Sequence, residues 1–247
     1  MGKVDVNSEF FAPENARHHF GISTERSPTI IAQGPPAMSF NAFYQASEKL
    51  SFGFGIYDAA WAQGRDENVM TLHNPFSYGP DRAIFLEGKY QWQQGLADLP
   101  GQLKVGIWQL DSDQSRFDGQ VQSNSEGYYL ARDQTLTRSG IGMYLQYGFA
   151  DEDVSPLMQH LGLGMQWLAP FPRRQQDIFG LGLSYVEFSD AGGAPYSEDH
   201  ETAFEVFYKS PITDWFTLQG DLQQIVNPGG QGASDVLIAS FRATFTY

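Results

Sequence analysis

The chain has 247 residues, room for one large domain, with 29 acidic against 15 basic side chains and a net charge of −14. That balance excludes a nucleic-acid or anionic-lipid partner held by a basic patch, and the lack of cysteine excludes disulfides and thiolate metal sites. No apolar run approaches the ~20 residues of a membrane-crossing helix. Aromatic residues nevertheless make up 15% of the chain and charged residues only 18%.

Alternation of apolar and polar residues predicts twelve strands, at 2–7, 37–45, 49–57, 82–92, 101–110, 126–135, 140–149, 157–168, 177–188, 202–210, 215–226 and 235–247. Most have the length of a tilted membrane strand, about 9–11 residues. The first is short, and the sixth alternates weakly. The last is the clearest: Leu237, Ala239, Phe241, Ala243, Phe245 and Tyr247 oppose Ser240, Arg242, Thr244 and Thr246. The connections alternate in length. If the last strand descends to a periplasmic end, 8–36, 58–81, 111–125, 150–156, 189–201 and 227–234 lie outside. The shorter 46–48, 93–100, 136–139, 169–176 and 211–214 then lie in the periplasm. Pro170, Pro172 and Pro211 mark short turns, because proline offers no donor to a ladder. The expected fold is an all-β, antiparallel up-and-down transmembrane β-barrel forming a single domain over 1–247. The alternative is a soluble β-sandwich with polar outer faces.

The two faces differ in chemistry. One carries Leu86, Val105, Leu145, Leu163, Leu183, Phe204, Leu222 and Phe241, as a lipid-facing band would. Tyr90, Trp92, Trp167, Tyr208 and Tyr247 fall near periplasmic strand ends and would form a girdle. The other face carries Asp5, Glu87, Lys89, Lys104, Trp108, Tyr144, Gln146, His160, Glu205, Lys209, Gln219, Asp221 and Arg242. Charges of both signs mix there, so it reads as the wall of a wet interior. The long connection 8–36 brings Arg17 and Arg26 as candidates for a constriction, and 58–81 brings Trp61, Arg65, His73 and Phe76.

Two stretches carry a family resemblance. One is Gly2-Lys3-Val4-Asp5-Val6-Asn7-Ser8-Glu9-Phe10-Phe11, followed by Asn15-Ala16-Arg17 and Ser27-Pro28-Thr29. The other runs from Asp214-Trp215-Phe216-Thr217-Leu218 through Asp221-Leu222-Gln223 to Asn227-Pro228-Gly229, with Gly220 where proline is common. Both resemble the carbohydrate-selective porin family, OprB. The resemblance implies a sixteen-stranded channel for sugars in a bacterial outer membrane, made as a longer precursor. This chain is therefore expected to lack N-terminal strands and a signal peptide, or else to close as a shortened barrel.

On that footing the partners are small saccharides and outer-membrane lipids, with no nucleic acid and no cofactor; a homo-oligomer stays open. Sugars need donors, acceptors and ring platforms. Trp108 and Tyr144 suit the platform, and Asp5, Glu87, Lys89, Lys104, Glu205, Lys209, Asp221 and Arg242 the hydrogen bonds. The near balance of these charges suits neutral sugars and a weak cation preference. A general porin for small solutes has the same architecture. No metal is expected, because the adjacent His18 and His19 lack a third ligand. No enzyme is expected either: Gly-x-Ser-x-Gly and His-Glu-x-x-His are absent.

Overall fold

Period-two patterning across the chain yields a single antiparallel sheet of twelve strands, hydrogen-bonded in sequence order, in a computed structural model. The structure describes residues 2–30, 37–59, 81–93 and 98–246. The candidates in 60–80 and Tyr247 lie outside those residues. The strands are β1 (Gly2–Val4), β2 (Ala37–Gln45), β3 (Leu50–Asp58), β4 (Arg82–Trp92), β5 (Gly101–Ser115) and β6 (Val121–Thr135). β7 (Ile141–Ala150), β8 (Leu157–Leu168), β9 (Ile178–Phe188), β10 (His200–Thr213), β11 (Phe216–Val226) and β12 (Val236–Phe245) follow. Among the described residues no pairing joins β12 to β1, so the sheet is curled with two open edges.

Register sorts the side chains. Leu145, Leu163, Leu183 and Phe204 are cross-strand neighbours on β7 to β10 and form one outward row. Leu86, Val105, Phe204, Leu222 and Phe241 are exposed, whereas Glu87, Lys104, Glu205 and Asp221 on the other face are buried. Rings gather at the turn end of the wall: Tyr90 with Trp92, Phe171 with Tyr208, and Trp215 with Phe245. A second outward group, Tyr128 with Tyr147 and Phe149 and Tyr185 with His200, sits at the opposite end. Aromatic residues at both ends are what two membrane interfaces select.

Four elements differ from the sequence expectation. β1 stops at Val4, because Val6–Glu9 forms a helical turn in which the Phe10 N–H donates to Val6 O at 3.1 Å. That turn places Val6 and Phe10 on one side, and both are buried. β5 and β6 continue through the expected loop 111–125 and turn only at 116–120. β10 runs on to Thr213, accommodating Pro211 with a bulge at the edge of its pairing.

Four outer connections brace one another. Phe117 and Phe188 both contact the Tyr196 ring. The Arg116 guanidinium meets Asp153 at 2.9 Å, and the Ser197 N–H donates to Gly230 O at 2.8 Å.

Candidate functional site

The inward face is not open space along most of its width. Residues 5–30 fold into the concave side and fill it against β2 to β12. No strand of the sheet pairs with 5–30, so its main-chain groups need other partners. Wall side chains supply them. Glu87 accepts from Phe11 N–H at 2.8 Å, and Asp133 accepts from both Glu14 and Asn15 N–H at 2.9 Å. Glu205 accepts from Phe20 N–H at 2.7 Å, Gly21 N–H at 3.0 Å and the Thr24 hydroxyl. Donors of the wall take the carbonyls: Lys104 to Ala12 at 3.0 Å, Gln219 to His18 at 2.6 Å and Gln146 to Thr24 at 3.2 Å. Ionised carboxylates make stronger bonds than neutral acceptors, which suits them to hold a chain lacking strand partners.

The segment rises along β7. Asn15 donates to Met143 O at 3.1 Å, His19 lies 3.4 Å from the Tyr144 hydroxyl, and Gln146 holds Thr24. Ser27 and Thr29 then sit over Gly148, where a Cβ would strike both hydroxyls. Every second residue of β7 thus reads a successive part of the segment. Across the sheet, Tyr144, Gly164, Gly182 and Glu205 share one row. Gly164 makes room for the Tyr144 ring and Gly182 for His19, whose Nδ1 lies 3.1 Å from Glu205. A Cβ on Gly182 would meet the His19 ring at 2.7 Å. Gly182→Val is therefore expected to loosen the segment at a cost of about 1–3 kcal/mol, the range for overpacking. Faster trypsin cleavage after Arg17 and Arg26 would register it, and an unchanged cleavage rate would contradict it.

The opposite end of the segment forms a dry core. Phe10 stacks on Phe85 at 5.7 Å, and Phe11 meets Tyr129 edge-on at 5.6 Å. Val6, Ile30, Tyr57, Trp108 and Leu110 join them in one buried cluster. The wet interior expected from the polar wall is apolar here, because the segment brings its own aromatic residues.

The candidates divide accordingly. Glu87, Lys104 and Glu205 are buried and committed to the segment. Trp108 and Tyr144 are 2% and 0% exposed, so neither ring is an open platform in this arrangement. Asp221 is buried and accepts from Gln223 at 2.7 Å. Asp5 lies just past β1 and is half-buried, as is Lys89. Free faces belong to other residues. Arg17 is exposed and pairs with Glu14 at 2.6 Å; Arg26 pairs with Glu25 at 3.7 Å. Lys209 donates to His18 Nδ1 at 3.3 Å, and the Arg242 guanidinium lies 4.0 Å over the Phe20 ring. Two important residues escaped the sequence analysis: Asp133, and Tyr129, whose hydroxyl donates to Glu87 at 2.9 Å. Their inward spacing with Ser125, Gly127 and Ala131 was the signal, blurred by bulky residues on both faces of β6. His160 faces Ser184 at 3.1 Å, but both are buried beneath the segment. His18 and His19 turn to different partners, Lys209 and Glu205.

His18 gives a pH dependence. Burial, then the cations Lys209, His19 and Arg17, lower its pKa from 6.5 to about 4. The unfolded segment binds this proton at a higher pH than the folded one, so its hold weakens as pH falls from about 6.5 through about 4. Amide hydrogen exchange in the segment, corrected for the intrinsic pH dependence of exchange, should quicken over that window and the effect should shrink in His18→Gln; a flat corrected profile in the parent would refute it.

The model of the carbohydrate-selective porin, OprB family matches residues 1–247. The chain belongs to that family. It is 24% identical over 193 residues to Porin B of Pseudomonas aeruginosa, covering 61% of this chain and 42% of the relative. The high-pH structure of Pseudomonas putida OprB superposes with a TM-score of 0.69 at 16% identity, covering 84% of this chain and 58% of that one. The low-pH structure of the same protein gives 0.55 at 13% identity, covering 83% and 54%. At these identities the structural likeness concerns the fold. The chain spans about half the length of the OprB-family relatives it matches.

Proposed function

We propose that this chain forms part of a bacterial outer-membrane channel for passive diffusion of small carbohydrates, and that residues 5–30 form its constriction. The observation that carries the reading is the division of labour in the lumen. The wall holds the segment, and the segment presents two ion pairs, an exposed one of Glu14 with Arg17 and a half-buried one of Glu25 with Arg26. Paired charges of both signs at one constriction offer donors and acceptors to sugar hydroxyls without strongly trapping either ion. Family membership and the aromatic bands on the outward face support the membrane location. The open edges of β1 and β12, with relatives about twice as long, support closure by further strands. Passive diffusion needs no covalent step, and membership of a porin family supports a channel rather than an enzyme.

Swelling of liposomes carrying the complete protein tests this. Mono- and disaccharides should enter faster than inert polyols or glycols of equal size. Equal rates would favour the general-porin reading, in which the lumen sieves by size alone.

A further inference from the structure

We infer that Lys209 and Arg242 form an anion subsite beside the constriction, suited to a saccharide that bears a carboxylate or a phosphate. This rests on the carbohydrate-channel reading and narrows its substrate class. Register carries the argument. Lys209 on β10 pairs with Gln219 on β11, and Gln219 pairs with Arg242 on β12. All three point inward, so two cations stand in one row, two strand spacings or about 10 Å apart. Among the described residues neither cation lies within ion-pair distance of a carboxylate.

The surrounding groups are already engaged. Gln219 is spent on His18 O at 2.6 Å. Asp221, the next inward residue along β11, is buried and takes its bond from Gln223. Glu205 serves the segment, and Glu25 pairs with Arg26 at 3.7 Å, with Arg242 near enough to Glu25 and Asp221 to feel their charge but outside ion-pair distance of either. Lys209 finds only the neutral acceptor His18 Nδ1. The Arg242 guanidinium carbon lies 4.0 Å from the centre of the Phe20 ring, a cation–π contact that uses none of its N–H donors in a hydrogen bond. A guanidinium and an ammonium, one exposed and one half-open, match the oxygens of a carboxylate or phosphate.

The test is block of single-channel current in the complete protein at fixed salt, with glucose, glucuronate, glucose 6-phosphate and inorganic phosphate as probes. At least one acidic sugar should block at a concentration about tenfold below glucose, the worth of one charge-assisted contact. The two acidic sugars separate carboxylate from phosphate recognition. In the double variant K209Q/R242Q the ratio of acidic to neutral block should fall to near one, while K49Q, an exposed turn lysine, should keep the parent ratio. Equal block by glucose and both acidic sugars would overturn the subsite, as would a preference that survives in K209Q/R242Q. Block by inorganic phosphate as strong as by glucose 6-phosphate would overturn the saccharide part. A current untouched by every sugar, glucose included, would defeat the carbohydrate reading itself.

Discussion

Replacing Glu205 by leucine is expected to free the in-folded segment and cost about 3–5 kcal/mol, the scale of breaking one side of a buried charged network. One carboxylate there serves Phe20 N–H, Gly21 N–H, the Thr24 hydroxyl and His19. Leucine fills similar space but accepts nothing, so at least three donors lose their acceptor beneath a closed surface. Glu205→Gln keeps one acceptor oxygen and should lie between the two. The outward face of β10 is untouched, so the sheet should persist while the segment departs. Trypsin should then cut rapidly after Arg17 and Arg26, and the single-channel conductance should rise. A Glu205→Leu protein with parental cleavage and conductance would show that the segment is held by other means.

The second large effect belongs to the outer wall. Leu163 sits mid-strand on β8 between Leu145 and Leu183. Arginine there would face hydrocarbon with no anionic partner and should cost about 2–4 kcal/mol in a lipid refolding titration, the range for a cation at the bilayer midplane. Asp221→Asn on the inward face should cost far less, because the amide keeps its shape and removes a like charge beside Glu205. Equal losses at Leu163 and Asp221 would place water, not lipid, against the outward rows.

Much of this wall is legible in the chain because membrane and lumen impose opposite chemistry on alternate residues. β4, β8 and β9 match their expected spans to within a residue, and Glu87, Lys104, Glu205 and Asp221 face inward as their parity requires. The long hairpin of β5 and β6 is hidden because its outer half, Asp111 to Ser125, is rich in serine, aspartate and glutamine on both faces. β6 conceals Asp133 for a related reason: Tyr128 and Tyr129 are adjacent, so neither face stands out. The use of the lumen is least legible. Glu87, Asp133 and Glu205 bond main-chain N–H groups, which every residue except proline carries and no sequence signature marks. The segment's aromatic pair, Phe10 and Phe11, is visible in the sequence, yet only the fold brings it against Phe85 and Tyr129. The charge balance of the wall also misleads, since its carboxylates are consumed by the segment while Lys209 and Arg242 remain available.

These 247 residues hold no cysteine, so with any cysteine elsewhere in the complete protein replaced by serine the central claim can be probed one thiol at a time. The claim is that permeation runs past the free face of the segment and not along the wall beneath it. Arg17→Cys and Gln146→Cys, each in the complete protein, would be exposed to a charged, water-soluble methanethiosulfonate during single-channel recording. Modification of Arg17→Cys should be rapid and should lower the current, whereas Gln146→Cys, covered by Ser23 and Thr24, should stay unreactive at neutral pH. Rapid modification and current loss at Gln146→Cys, with no change in current at Arg17→Cys, would contradict the account.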